Sequence, residues 1–108
     1  MVEDSALIQK VLASAGVDLI FPTFDFKGIP GFDLQVLYKG EESLYEVERQ
    51  NVTFQVAITD LAENSVEPDL TFTCEDTAYI YTFNVEGIEP DFTGWAFMKV
   101  SFRGKEAI

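Results

Sequence analysis

The side chains best equipped for chemistry are the carboxylates, which number 19 against 7 Lys and Arg residues. Two carboxylates that flank a glycosidic bond could hydrolyse it, and clustered carboxylate oxygens could bind Ca²⁺. With so many acids, some pair lies at a suitable distance by chance, and the Asp-x-Asp-x-Asp-Gly type of calcium loop is absent. We therefore read the acidic stretches 60–69 and 86–91 as solvated turns, and expect no catalytic residue and no metal ligand.

Other reactive groups are scarce. The sequence has no His, which excludes Ser-His-Asp triads, His-based zinc sites and imidazole acid–base catalysis. Cys74 is the single cysteine, so no disulfide forms within the chain, and no basic neighbour in sequence lowers the pKa of its thiol. The glycines at 28–31 form a turn cluster rather than a phosphate-binding loop. We expect neither enzymatic activity nor a cofactor.

Aromatic side chains are abundant, with 10 Phe, 4 Tyr and 1 Trp. They could form a platform that stacks sugars or bases, but single-stranded nucleic acid would also need basic residues beside the rings. The net charge of −12 repels phosphate backbones and anionic membranes. The aromatics are therefore predicted to fill the core, and neither sequence-specific nucleic-acid binding nor membrane binding is expected.

Length and composition predict a single folded domain over residues 1–108. Apolar residues make up 47%, which is too many for a disordered chain. The opening MVEDSALIQK has no long apolar stretch, and no apolar run is long enough to span a membrane as a helix. These features predict a soluble, intracellular domain.

A short helix is predicted within residues 1–16. Four apolar residues recur there at helical spacing: Leu7, Ile8, Val11 and Leu12. Gly16 fits a left-handed C-terminal stop. A helix of about three turns is only marginally stable in isolation, so this apolar stripe must pack against another part of the protein or against a partner. These four residues are therefore also candidate partner contacts.

From residue 17 to residue 102 the apolar period changes to two, which predicts strands. The alternating stretches are 17–21, 24–26, 32–38, 52–58, 77–85 and 95–102, with a further strand starting at Leu70. Turns are predicted at 27–31, 75–76 and 87–94, and a polar tail at 103–108. The fold class is mainly β: a small antiparallel β-barrel or sandwich of about six or seven strands with a short N-terminal helix.

Residues 39–51 form a charged stretch without a clean period, which is long for a connection in a compact domain. Its candidate partner-binding residues are Glu41, Glu42, Leu44, Tyr45, Glu46, Val47, Glu48 and Arg49. One interpretation is an extended hairpin or a solvated loop. The other is an assembly loop that becomes ordered against a partner and buries Leu44 and Tyr45.

The C-terminal half carries a specific succession of turns and strands. Its stretches are Thr59-Asp60-Leu61, Pro68-Asp69-Leu70-Thr71-Phe72-Thr73, Ala78-Tyr79-Ile80-Tyr81, Pro90-Asp91-Phe92-Thr93-Gly94 and Phe97-Met98-Lys99-Val100. This pattern resembles the small head–tail joining proteins of long-tailed phages, also called head-completion or tail-attachment proteins, of the lambda type. The front half is similar in layout, with a short helix, a strand and a long loop. Glu67-Pro68-Asp69 departs from the family, where Gly-Asp is more usual.

The resemblance implies a non-enzymatic virion protein that joins the DNA-filled head to the tail. Its partners would be the portal or adaptor proteins and the tail-completion protein. It would form a homo-oligomeric ring on assembly, and its state in solution, monomer or oligomer, stays open. The long loop and the N-terminal segment would become ordered on assembly. The protein would reside in the virion, and in the host cytoplasm before assembly.

Two alternatives from other classes remain. The first is an acidic DNA mimic that inhibits a nucleic-acid enzyme, which the charge of −12 favours. Such a mimic should line carboxylates along one face, whereas the acids here fall mainly in turns and between apolar strand positions. The second is a small carbohydrate-binding β domain, which needs exposed aromatics or a paired carboxylate cleft.

Overall fold

A closed antiparallel barrel forms the body of the protein. The computed structural model describes residues 5–32, 34, 52–91 and 93–108. Its elements are α1 (Ser5–Ala15), β1 (Val17–Ile20), β2 (Asp25–Pro30), β3 (Thr53–Ala57), α2 (Ile58–Glu63), β4 (Thr71–Glu75), β5 (Tyr79–Pro90) and β6 (Trp95–Ala107). Strands make up 54% of the described residues, and the six strands close in the order β1-β2-β3-β6-β5-β4. The predicted fold class is confirmed, in its barrel form.

The barrel interior is filled by aromatic rings. Phe54, Phe72 and Phe83 come from three strands, are buried, and lie 5.3 to 5.5 Å apart between ring centroids. Side chains of a strand alternate between its two faces, so each of these strands sends every second residue inward. The expectation that the aromatics serve as core is confirmed for these rings, and such pairs add stability beyond the area they bury.

Helix α1 lies outside the barrel, against β2 and β3. Ile8 and Leu12 are buried there beside Ala57. The helix ends where the chain passes very close to it: a Cβ on Gly16 would lie 2.6 Å from the carbonyl oxygen of Leu12. The predicted left-handed stop was wrong, because Gly16 does not have a positive φ; among the described glycines, Gly94 has one, at 97°. Gly16 is needed for close approach.

Helix α2 corrects two predictions. The strand predicted over 52–58 ends at Ala57, and the stretch predicted as turn from residue 60 begins inside a helix. Leu61 anchors this helix in the core, and the Ile58 N–H donates to the carbonyl of Gly94 at 3.0 Å. One buried residue in a six-residue helix leaves no periodic stripe to detect, so tertiary contacts decide its formation.

The turn predicted at 27–31 is largely strand, because β2 runs to Pro30. Gly28 faces the interior, and a Cβ there would lie 2.7 Å from Leu19 and 3.0 Å from Val56. The glycine therefore permits close packing between neighbouring strands, which its composition-based interpretation as a turn residue missed.

The β5–β6 hairpin is longer than predicted. Residues 87–90 continue β5, and β6 runs through the predicted polar tail, so that Tyr79 pairs with Ala107. Register shifts at Thr82/Phe83 and Val85/Gly87 let the ladder continue beyond the apolar stretch. Where the hairpin turns, the Asp91 N–H donates to the Trp95 carbonyl at 2.8 Å.

Candidate functional site

The outer face of α1 is the first candidate surface. Leu7 is 51% exposed and Val11 39% exposed, whereas Ile8 and Leu12 are 3% and 0% exposed. The four predicted contacts therefore divide into two adjacent stripes. Ile8 and Leu12 attach the helix to the barrel and are buried in this conformation, and their role as partner contacts stays a prediction. Leu7 and Val11, one helical turn apart, lie on the solvent side.

The structure does not describe the predicted assembly loop. Residues 39–51, including all eight candidate contacts between 41 and 49, lie outside the described residues, as do residue 33 and residues 35–38 of the predicted strand 32–38. Their proposed role stays a prediction. Phe32, at the start of that strand, packs edge-on against Phe54 with ring centroids 5.3 Å apart.

A groove between β1 and β4 is the second candidate surface. The two strands share one ladder pair in the described part of the chain, Ile20 with Thr73. A groove of about 530 Å³ lies against the ends of both strands. Val17 and Asp18 line its β1 side, and Glu75 and the turn after β4 line the other.

The rim of this groove is acidic. Asp18, Glu75 and Asp76 contribute three carboxylates, against one ammonium group from Lys27. Lys27 Nζ donates to Asp18 Oδ1 at 2.9 Å, and both side chains are exposed. Exposed ion pairs hold weakly, so Asp18 can exchange this partner for another cation.

Asp76 is held in place by a hydrogen-bond network. The Tyr81 hydroxyl donates to its Oδ2 at 2.7 Å, and the N–H groups of Ala78 and Tyr79 donate to its Oδ1 at 2.8 Å. These bonds, led by that from Tyr81, lower the pKa of Asp76, while burial and this same bond raise the pKa of Tyr81. The carboxylate therefore stays ionised at neutral pH and fixed at the end of the groove.

The open end of the β5–β6 hairpin packs beside the turn that carries Asp76. Lys105 lies on the inner face opposite Tyr81, and its Nζ is 3.8 Å from the centroid of the Tyr79 ring. A cation over an aromatic face is attracted by the ring quadrupole. This contact packs the hairpin end against the turn that carries Asp76.

The surroundings of the Cys74 thiol do not activate it. Cys74 is fully buried on β4, and burial, with lesser contributions from Asp76 and Glu75, raises the pKa of its thiol to about 12. It is therefore protonated at neutral pH, in agreement with the prediction. Among the described residues, three or more Cys, Asp and Glu side chains nowhere gather closely enough to bind a metal ion. None of the described helices has the length and apolarity to cross a membrane.

No protein-family model, curated protein or solved structure matches this chain. The similarity to phage joining proteins therefore rests on the turn and strand pattern of the sequence alone.

The groove was not predicted from the sequence. Asp18 and Glu75 are outward positions of alternating segments, which predicts only that each is solvated. Their proximity follows from barrel closure, which brings the first strand beside the fourth. Nothing in the local sequence of either strand specifies that neighbour.

Proposed function

We propose that this chain is a non-enzymatic virion protein that joins a DNA-filled phage head to its tail, at the portal or adaptor complex. The observation that carries the proposal is the exposed apolar pair, Leu7 and Val11, on a helix anchored to the barrel wall. The family resemblance implied a barrel with a short N-terminal helix, and this architecture agrees with that part of the expectation.

The anchored helix suits a joining role for an energetic reason. Ile8 and Leu12 already bind α1 to the barrel, so presenting Leu7 and Val11 requires little further ordering on association. Burying a fully exposed Leu or Val side chain contributes on the order of 1.5–3 kcal/mol. Because Leu7 and Val11 are already about half-buried, covering what remains exposed contributes roughly half of that for each. The filled aromatic core makes the barrel a rigid support, which transmits the position of one partner to the next.

The test is a pair of double variants on α1. Leu7→Ser/Val11→Ser removes the apolar pair, and Ala13→Ser/Ala15→Ser places the same hydroxyls at other exposed positions of the helix. Binding to the purified portal, adaptor and tail-completion proteins of the same phage is measured by sedimentation, and rings are counted by electron microscopy. We expect the first variant to bind at least about tenfold more weakly, the loss of roughly 1.4 kcal/mol. The second should bind like the parent.

Two results would overturn the proposal: absence of binding by the parent chain, or equal binding by both variants. Competition with DNA for a nuclease would then favour the DNA mimic, and binding to a glycan array would favour the carbohydrate-binding domain. Circular dichroism of both variants checks that α1 and the barrel remain folded.

A further inference from the structure

We propose that α1 exchanges between two copies of this chain, so that the helix of one copy docks on the barrel of the other. The inference concerns the buried face of α1, whereas the proposed function uses its exposed face, and it is independent of the phage assignment. Three observations carry it: a separate small core under the helix, a connection of one residue between the helix and the barrel, and the low charge of the helix.

The first observation is that α1 has a small core of its own. Ile8, Leu12 and Ala57 form a buried cluster that is distinct from the aromatic core of the barrel, and Ile29 and Trp95 pack at its margin. The six strands close in a ring to which the helix does not belong. Release of α1 therefore uncovers this outer face while the barrel stays intact, as in the local opening of a separate cooperative unit.

The surface that fits a released α1 is the same face on a second copy. An isolated helix of 11 residues is marginal in water, so a free α1 needs an apolar surface to stay folded. A second barrel offers Ile8 and Leu12 the same contact with Ala57. It also offers the Gln9 amide the same Asp60 carboxylate, to which Nε2 donates at 3.2 Å. Exchange reproduces the docking contacts, which is why identical elements swap between copies at low cost.

The second observation is the connection between α1 and β1, which is the single residue Gly16. Its N–H donates to the carbonyl oxygen of Leu12 at 2.8 Å. A Cβ at this position would lie 2.6 Å from that oxygen and 3.2 Å from the Cβ of Lys27. The chain is therefore folded back tightly at this point. A short, crowded hinge favours exchange, because the crowding is relieved when the chain extends into a second copy.

The third observation is the low charge of α1 in a strongly acidic chain. Lys10 is the single charged residue between Ser5 and Ala15, whereas the whole chain has a net charge of −12. Two copies repel each other as a whole, but the helix that crosses between them is positive and is attracted to the other barrel. Charged residues are depleted in the cores of protein interfaces, and the composition of this helix agrees with that rule.

Exchange gives the two stripes of α1 different partners. Ile8 and Leu12 contact the second copy, while Leu7 and Val11 stay on the solvent side, because α1 docks in the same way on either barrel. A helix that holds two copies together thus keeps its exposed face for another protein.

The experiment mixes two versions of the full chain, each with one cysteine in a Cys74→Ala background. One version carries Gln9→Cys and the other Asp60→Cys, because these two side chains meet when α1 is docked. The mixture is incubated at high protein concentration and about 0.5 M salt, which screens the repulsion between copies, and is then treated with a short bismaleimide. Exchange places the helix of the first version on the barrel of the second, so the product is a covalent dimer with one chain of each.

A matched mixture measures crosslinking by random collision. Ser14→Cys takes the place of Gln9→Cys there, since residue 14 is also exposed and lies on a different side of the helix from residue 9. We expect the Gln9 mixture to give at least about tenfold more mixed dimer, because docking holds its two thiols at a high effective concentration. Thermal unfolding of each version checks that the barrel is intact.

Matched glycine variants test the hinge. Gly16→Ala crowds the docked connection and should raise the yield of mixed dimer at least about threefold, because extension at this residue relieves the contacts. Gly104→Ala adds the same methyl group where it meets open space, and should leave the yield unchanged. Both substitutions are made in each cysteine version, and circular dichroism checks their fold.

Three outcomes would overturn the inference. They are equal yields from the Gln9 and Ser14 mixtures, equal yields from Gly16→Ala and Gly104→Ala, and amide exchange in α1 that is no faster than in β5. The third means that the helix opens only with the whole barrel. The first and third are measured with Gly16 intact, so they decide the question even if Gly16→Ala does not fold. Because Leu7 and Val11 are unchanged throughout, absence of exchange leaves the portal-binding test of the proposed function unaffected.

Discussion

Two seams of the same barrel are built very differently. The β5–β6 seam joins strands of 12 and 13 residues through eleven described pairs, from Tyr79 with Ala107 to Pro90 with Ala96. The β1–β4 seam has one described pair, Ile20 with Thr73. A barrel can therefore close without a full ladder at every strand pair.

Side-chain packing compensates at the weak seam. Phe21, which follows β1, lies 5.0 Å from Phe72 of β4 between ring centroids, and both are buried. Leu19 and Cys74, the inward residues beside the single ladder pair, are fully buried as well. The apolar contacts thus hold together two strands that share little backbone hydrogen bonding.

The largest expected effect comes from removing one aromatic ring of the core at each seam. Phe72→Ala and Phe102→Ala should each lower the free energy of unfolding by about 3–5 kcal/mol, because each leaves a cavity in the aromatic core. Only Phe72→Ala should also speed amide exchange preferentially at Ile20 and Thr73, since that ring packs across the weak seam. Urea unfolding gives the first quantity, and native-state hydrogen exchange the second.

Equal acceleration of exchange at the β1–β4 seam by both variants would contradict the contrast between the seams. It would mean that the barrel opens as one cooperative unit, with no locally weak edge.

A smaller effect comes from Cys74 and depends on pH. The folded thiol has its pKa raised from 9.0 to about 12, so above pH 9 the unfolded chain loses this proton while the folded chain keeps it. The free energy of unfolding then falls as pH rises, by at most about 1.4 kcal/mol per pH unit from this group. Comparing urea unfolding of the parent and of Cys74→Ala between about pH 8 and pH 10 should show the steeper fall in the parent.

Identical slopes for the two proteins would indicate that Cys74 ionises in the folded state. Water would then reach Cys74 inside the barrel, and the conclusion that side-chain packing seals the β1–β4 seam would be wrong.

The smallest effect tests whether surface charge stabilises the strong seam. Lys99 Nζ and Glu89 Oε2 lie 3.6 Å apart across β5 and β6, with both side chains exposed. Glu89→Gln should change the free energy of unfolding by less than about 0.5 kcal/mol, because exposed pairs gain little in water. A loss above about 1 kcal/mol in the same urea experiment would show that this ion pair, and not the ladder alone, secures the hairpin.

The parts of the fold that were predictable are those with a repeating apolar pattern. The stripe of Ile8 and Leu12 predicted α1, and the alternation around Phe54 and Phe83 predicted β3 and β5, because burial on one face imposes a period on the sequence. The elements that were missed lack such a period. Helix α2 buries little beyond Leu61. The missed ends of the hairpin, residues 87–90 of β5 and 104–107 of β6, show no apolar alternation of their own, and each pairs with a part of the other strand that was predicted.

The candidate site was less predictable than the fold. The spacing of Leu7 and Val11 marked an apolar helix face, but which half of the stripe remains exposed depends on how α1 docks on β2 and β3. The acidic groove left no sequence signal, because Asp18 and Glu75 are far apart along the chain.

By itself the sequence determined a mainly β domain with an aromatic core, a strongly acidic surface and a short N-terminal helix, since composition and apolar period depend on each residue and its near neighbours. Only the tertiary structure decided that the sheet closes, that β1 and β4 become neighbours with one ladder pair among the described residues, and that Asp18, Glu75 and Asp76 line the same groove. These features depend on contacts between residues distant in sequence, which no local pattern encodes.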